Sequence, residues 1–337
     1  MAIKKVFFAP LNADHPQTGM RRAFNGIFGP ENCREMDYFT RLKDTNFSVE
    51  LVNSEFLHAL TSFEPDMAFF QLQDTSVIRV ETIRKAKRSL PSCIFVKWQG
   101  DVRAEPSEYV VAMAKEMHMT CIASKGQIEL YRSLGAKDVR YLQIGLDWDE
   151  DVLAASNWNP PFHVPSVLFI GNNYKDSFPG TPEREGAIRA LHSAGVDIGI
   201  VGNGWEETGL PIAGQCKVKD QVRVWRKAKV ALSVNHFPDL RNYWSDRHLC
   251  AMSAGVPLIC RYVPGLEEEF KDGEHLFWYR DEDELMRKVR TLLADPVLAL
   301  RVGSAGREEV LKNHTWFSRI LTLYSWVDRM AGGIQKR

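Results

Sequence analysis

Several polar stretches in this chain directly follow short apolar runs, where side chains can reach a ligand. Phe169-Ile170-Gly171-Asn172-Asn173 and Ile200-Val201-Gly202-Asn203-Gly204-Trp205 each set a glycine at the end of such a run. A backbone without a side chain can come close to a ligand there. Ser245-Asp246-Arg247 opens a helical stretch. Ser245 or Asp246 can cap it, and free N–H groups, the helix dipole and a first-turn guanidinium together suit a pyrophosphate. Gly265-Leu266-Glu267-Glu268-Glu269 reads on its own as an acidic turn that suits a helix start. In the first half, Trp98-Gln99-Gly100-Asp101-Val102-Arg103 ends another apolar run. Asp101 is either a general base or a turn cap paired with Arg103. Asp14-His15, followed by Arg21 and Arg22, forms a second acid–base candidate.

Other chemistry loses support. Neither glycine stretch is Gly-x-Gly-x-x-Gly or a P-loop, which argues against hydride transfer to NAD and against ATP hydrolysis. Asp147-Trp148-Asp149 and Asp281-Glu282-Asp283 invite a metal, but the first lies at an expected domain boundary and the second at a helix start. The histidines, His163 and His192 among them, form no ligand spacing, so no metal is expected.

The elements that must carry these residues alternate. Ile3–Ala9, Asp66–Leu72, Ser92–Trp98 and Thr120–Ser124 read as strands, separated by amphipathic helices. After the turn-rich Asn157-Trp158-Asn159-Pro160-Pro161 the pattern restarts with strands at Ser166–Ile170, Asp197–Val201, Val230–Val234 and Pro257–Cys260. Such alternation predicts two doubly wound α/β domains with parallel sheets. The expected divisions are residues 1–155, 156–315 and a closing helix at 316–337. Ligands of such sheets bind beyond the carboxyl ends of the strands, so the strand-to-helix loops matter most.

The 337 residues suffice for two apolar cores, and 45% hydrophobic with 26% charged residues is ordinary for a soluble globular protein. Forty-three basic residues balance 43 acidic ones, and neither half is basic, so a nucleic-acid module is not expected from bulk charge. The six cysteines form no Cys-x-x-Cys pair. They read as buried hydrophobes in a reducing compartment, with the cytoplasm of a cell or of an infected host as the expected location. No apolar run is long enough to span a membrane, and no signal peptide is expected at the N-terminus.

The order and spacing of these features say more than any one of them. Val167–Gly171, Gly202–Trp205, Arg247 with Ala251–Pro257, Gly265–Glu269, Asp281–Leu293, Gly306-Arg307 and His314-Thr315-Trp316 with Arg319 resemble the C-terminal domain of group-1 glycosyltransferases. The similarity points to the CgeB-type, spore-maturation-protein-like branch, and covers about residues 165–322. It implies the GT-B architecture: two facing Rossmann-like domains, a nucleotide-sugar on the second, an acceptor on the first, a cleft between them and a last helix that crosses back. Carried over, Gly171 and Asn172 would lie at the donor phosphates, and Gly202 and Trp205 would shape the nucleotide pocket. Ser245 and Arg247 would bind the pyrophosphate, and Glu267 or Glu268 would reach sugar or ribose hydroxyls. Asp101 would take the acceptor's proton, with Trp98, Arg103, Asp14 and His15 positioning substrate. The donor, a UDP-sugar by expectation, is a co-substrate; no permanently bound cofactor and no metal is implied. Many retaining members carry Glu-x7-Glu, where this chain has Asn242 and Cys250.

Arg84, Lys87 and Arg88 share one helix face and could form a phosphate-binding patch. Phage enzymes that glucosylate hydroxymethylated DNA bases share the architecture, so DNA is an alternative acceptor. A binding protein that kept the fold without catalysis is the second alternative.

Overall fold

Four-residue runs such as Val6-Phe7-Phe8-Ala9 and Met67-Ala68-Phe69-Phe70 are apolar at every position, which suits a strand covered on both faces. In the computed structural model, which describes residues 3–12, 17–147 and 158–334, such runs build two parallel sheets of six strands each. The chain divides into two units, residues 1–147 with 315–337, and residues 148–314.

The first unit holds β1 (Val6–Ala9), β2 (Cys33–Glu35), β3 (Met67–Phe70), β4 (Ile94–Gln99), β5 (Met119–Ile122) and β6 (Val139–Tyr141), in the order β2-β1-β3-β4-β5-β6. Its helices are α1 (Thr18–Phe28), α2 (Tyr38–Asp44), α3 (Val49–Phe63), α4 (Val80–Ser89), α5 (Glu108–Glu116) and α6 (Ile128–Ser133), joined by the closing helix Trp316–Ile334. Asp37, Ser48 and Ser107 cap α2, α3 and α5 through their side chains. The closing helix buries Ile320, Leu323 and Val327 against Met20 and Phe24 of α1, in one apolar cluster with Val96 and Trp98. The opposite face of the sheet carries Phe7, Phe70 and Phe95 under α3 and α4.

The second unit holds β7 (Val167–Ile170), β8 (Ile198–Val201), β9 (Ile212–Gly214), β10 (Val230–Ser233), β11 (Leu258–Arg261) and β12 (Phe277–Tyr279), in the order β12-β11-β10-β7-β8-β9. Its helices are α7 (Thr181–Ser193), α8 (Gln221–Trp225), α9 (Asp246–Ser253), α10 (Glu282–Ala294) and α11 (Pro296–Asn313). The strand order reverses between β7 and β10, and the crevice at their carboxyl ends is where such sheets bind ligands. In the first unit the reversal lies between β1 and β3. Asp14 and His15, in the loop after β1, lie outside the described residues, as do Trp148 and Asp149.

The three-residue strands β2, β6 and β9 escape the apolar pattern because each is short and only partly buried. The two Asp-x-Asp strings have structural work. Asp147 accepts from the Gly19 N–H near the start of α1, and Asp281 caps α10 through the Glu284 N–H at 2.8 Å.

Candidate functional site

Gly171 follows β7 at the strand reversal of the second unit. Its N–H donates to Val201 at 3.0 Å, and its carbonyl accepts from the Trp205 indole at 2.8 Å. A β-carbon on Gly171 would come within 3.1 Å of the Phe169 ring and 3.7 Å of the Arg247 stem, both side chains. Gly202 is different, because a β-carbon there would lie 2.3 Å from the Gly171 carbonyl oxygen. Its glycine lets two strand-end loops touch. Asn172 ties the same loops, accepting from the Asn203 N–H at 2.9 Å.

Trp205 does not line a pocket. It is fully buried, edge-on to Phe169 at 5.7 Å, and belongs to the core of the unit. Trp205 reaches the strand-end loop from within the core, where its indole fixes the Gly171 carbonyl.

Arg247, in the first turn of α9, keeps its Nε and Nη2 buried with no hydrogen-bond partner among the described residues. Ser245 has the extended backbone of an N-cap, but its side chain makes no cap bond, contrary to the capping expectation. Its buried Oγ is unpartnered, and its N–H donates to Asn235 Oδ1 at 3.2 Å. Asn235, on the loop after β10, in turn leaves its Nδ2 buried and unpartnered.

Beside them lies Arg184, fully buried on α7. Its guanidinium donates to the carbonyls of Asn172 at 2.8 Å and Val234 at 2.9 Å, and its Nε has no partner. Burial first, and the charge of Arg247 second, push this guanidinium down to about 9. Residue type and spacing alone give Arg184 no assigned role at the site. A signal was present: Arg184 shares the buried face of α7 with Ala187, Ile188 and Leu191, at i+3, i+4 and i+7, where a charge is out of place.

Two guanidinium groups, a hydroxyl and an amide thus converge at one strand reversal with donors unused. Burying polar donors without partners costs stability, and an anion that accepts from them offsets that cost.

The acidic turn is engaged elsewhere. Glu267 accepts from the Tyr262 hydroxyl at 2.9 Å, Glu268 pairs with Arg241, and both are exposed. Gly265 takes a left-handed φ of 86°, and its carbonyl accepts from Asn242 at 2.8 Å. Asn242, buried, also bonds Glu269 at 3.3 Å. Asn242 therefore braces a turn.

On the same carboxyl edge, past β8, the Gly202 N–H donates to Gly214 at the end of β9 at 3.1 Å. Beyond Gly214 opens a cleft of about 390 Å³ lined by Trp158, Phe162, Cys216, Lys217 and Arg223.

In the first unit, Asp101 and Arg103 are exposed after β4. The N–H groups of Gly100 and Asp101 donate to Gln73 Oε1 at 3.2 and 3.3 Å, and the Asp101 carbonyl accepts from Gln99 at 3.0 Å. Trp98 turns into the core and away from the surface where a substrate contact is expected: it is buried, edge-on to Trp316 at 5.2 Å, and its indole donates to Leu142 at 2.8 Å. Ile94, Val96 and Trp98 alternate onto one core face, and Trp98 goes with them.

The basic face of α4 is not an open phosphate patch either. Arg84 pairs with Glu116 at 2.8 Å and Glu81 at 3.3 Å, and Lys87 lies 3.8 Å from Glu116. Arg88 alone of the three makes no such pair among the described residues. Arg21 is paired with Glu35. Among the described residues no three His, Cys, Asp or Glu side chains cluster as metal ligands. Nor is any described helix long and apolar enough to cross a membrane.

Residues 184–325 match a family model described as glycosyl transferase-like. A trehalose synthase of Pyrococcus horikoshii is 40% identical over 63 residues, which make up 19% of this chain. The chain spans about 15% of the length of that curated relative. Among solved structures, HepE of Anabaena in complex with UDP-glucose superposes at a TM-score of 0.62 and 11% identity, covering 98% of this chain and 99% of that one. An alpha-glucosyltransferase in complex with UDP and a 13-mer DNA does so at 0.62 and 10% identity, covering 97% and 100%. Likeness at such identity shows the fold, and the fold is GT-B: two Rossmann-like domains.

Proposed function

We propose that this chain, GT-B in fold and glycosyl transferase-like over most of its second unit, transfers a sugar from a UDP-sugar to an acceptor hydroxyl. The observation that carries this reading is the pair of arginines at the β7/β10 reversal, Arg184 buried and Arg247 half-buried, whose unused donors have no acceptor among the described residues. A diphosphate fits them. Its oxygens would accept from Arg247, from the Arg184 Nε, from Ser245 and from Asn235, with Gly171 leaving room for approach. The nucleoside would extend along the sheet edge towards Trp158 and Phe162. Two strand spacings separate β7 from β9, about 10 Å, a span a nucleoside diphosphate can cover.

In the transfer, the acceptor oxygen bonds the anomeric carbon as the bond from that carbon to the diphosphate breaks. The hydroxyl proton goes to a carboxylate, for which Asp101 is our choice, and the arginines hold the charge that develops on the leaving diphosphate. We infer that no metal is needed, because two guanidinium groups already meet that charge. Turnover that survives a chelator is the expected result.

The sequence of Arg247 with Ala251–Pro257 and of Gly265–Glu269 supports the spore-maturation-protein-like branch. Six cysteines without a Cys-x-x-Cys pair, three of them buried, support a reducing, cytoplasmic setting. The DNA-bound neighbour keeps a base hydroxyl among the acceptors to test, although the paired charges on α4 remove the patch that first suggested it.

A panel of nucleoside diphosphates and nucleotide-sugars, read by thermal shift and by release of UDP, tests the reading. Stabilisation by UDP with UDP release in the presence of an acceptor supports it. Stabilisation without release under any acceptor would favour a binding protein. No shift with any nucleotide would remove the donor site.

A further inference from the structure

Lys97 lies inside β4 and is fully buried. Its cross-strand neighbours on that face are Phe70 and Thr120, and Phe70 belongs to the apolar cluster under α3 and α4. A lysine in such a place is costly, since its ammonium gives up water. Among the described residues its single hydrogen bond runs to Gln99 Oε1, two residues on and on the same face. An ammonium only donates, so it selects the oxygen of the Gln99 amide. That choice turns Gln99 Nε2 to the Asp101 carbonyl, where it donates at 3.0 Å. Gln73 holds the same segment from the other side through the Gly100 and Asp101 N–H groups. Gln73 itself takes a left-handed φ of 45°. Two buried glutamines therefore clamp the Asp101 backbone, and Lys97 sets the orientation of one.

The carboxylates whose charge acts on Lys97 are Asp74, beyond β3, and Asp101. The Tyr109 and Tyr131 hydroxyls sense Asp74, and Tyr131 senses Asp101 as well. Burial outweighs both carboxylates and pushes the ammonium down to about 7.

We infer that Lys97 is a positioning residue for the transfer: it locks Gln99 to hold the Asp101 backbone, and its charge favours the ionised Asp101 carboxylate. This rests on the reading of Asp101 as the base. A purely structural residue here would be better served by a hydrophobe of similar volume, which fills the core without desolvating a charge.

The test uses the full chain with Lys97→Met, Gln99→Met and Asp101→Asn. Three quantities are read: melting temperature, the titration of the Asp101 carboxyl by carbon-13 NMR, and UDP release from UDP-glucose. For Lys97→Met the melting temperature stays level or rises. The Asp101 carboxyl titrates at higher pH than in the wild type. Turnover falls about tenfold or more at unchanged KM for the donor, part of what a general base contributes. Gln99→Met lowers turnover as well, and the double variant is no worse than the poorer single one. An Asp101 titration unchanged in Lys97→Met overturns the proposal, whatever the turnover. So does a loss of activity that only tracks a loss of melting temperature. Asp101→Asn separates the two readings. If it turns over like the wild type, the base assignment falls, while the NMR titration still reports whether Lys97 acts on Asp101.

Discussion

Arg184 is buried close enough to Arg247 for the second guanidinium to weaken the first one's hold on its proton, and neither has a carboxylate partner among the described residues. Like charges placed together without a counterion destabilise a fold. The arrangement makes sense once an anion lies over both.

Replacing Arg247 with alanine therefore has two expected effects of opposite kind. Affinity for UDP falls about ten- to a hundredfold, the scale of hydrogen bonds to a charged group. Melting temperature without ligand stays level or rises, because a repulsion is relieved. Calorimetry and thermal unfolding read the two separately. Undiminished UDP affinity would place the diphosphate elsewhere.

The two strand-end glycines should part company in the same assays. In Gly202→Ala the new methyl meets the Gly171 carbonyl, which is backbone and cannot swing aside. We expect a loss of about 1–3 kcal/mol in urea unfolding, the range for overpacking. In Gly171→Ala the methyl presses on the Phe169 ring at 3.1 Å, a side chain that can give by a few tenths of an ångström, so the stability loss is smaller than in Gly202→Ala. UDP binding weakens all the same, because the methyl stands where a phosphate approaches. Equal stability losses in both variants would undercut the distinction.

How much of this was legible beforehand depends on what each residue's neighbours in sequence reveal. Strands such as Ile94–Gln99 and the glycines that end β7 and β8 are visible as apolar runs meeting punctuation, and the two-sheet plan follows from their alternation. Residue type alone misleads where burial decides the role. Trp98 and Trp205 look like substrate-facing aromatics after strands, yet their indoles donate inward to Leu142 and Gly171. The basic face of α4 looks open until Glu116, at the end of α5, supplies the counter-charge across 32 positions of sequence. Arg184 and Lys97 are the reverse case, charges set in apolar stripes whose use appears only when Arg247 and Asp101 come beside them in space.

Glu116 gives the test for nucleic acid. The Arg84→Ala/Lys87→Ala double variant should leave retention on heparin or DNA columns unchanged, since both charges are already met within the unit. Glu116→Ala should unmask them and delay elution to higher salt. Earlier elution of the double variant would restore a phosphate role to this face.

Stability should fall in acid through His248, one residue from Arg247 on α9. The imidazole is fully buried, and among the described residues neither ring nitrogen has a hydrogen-bond partner. Burial first, and the Arg247 charge second, push it down to about 3; the Ser245 carbonyl opposes weakly. Unfolded, the same side chain takes up a proton near pH 6.5. From pH 6.5 down to about 3 the unfolded chain therefore holds one more proton than the folded one, and stability rises with pH across that window. The contribution is complete above 6.5 and lost progressively below, at a slope of up to about 1.4 kcal/mol per pH unit for one proton. His248→Leu removes that slope. Urea unfolding at pH 7 and pH 5 should show the wild type losing more stability than the variant over this interval. Equal losses would mean that the ring is protonated in the folded state. A bound diphosphate, by offsetting the Arg247 charge, should shallow the wild-type slope, while UDP added to His248→Leu leaves its pH dependence as it was.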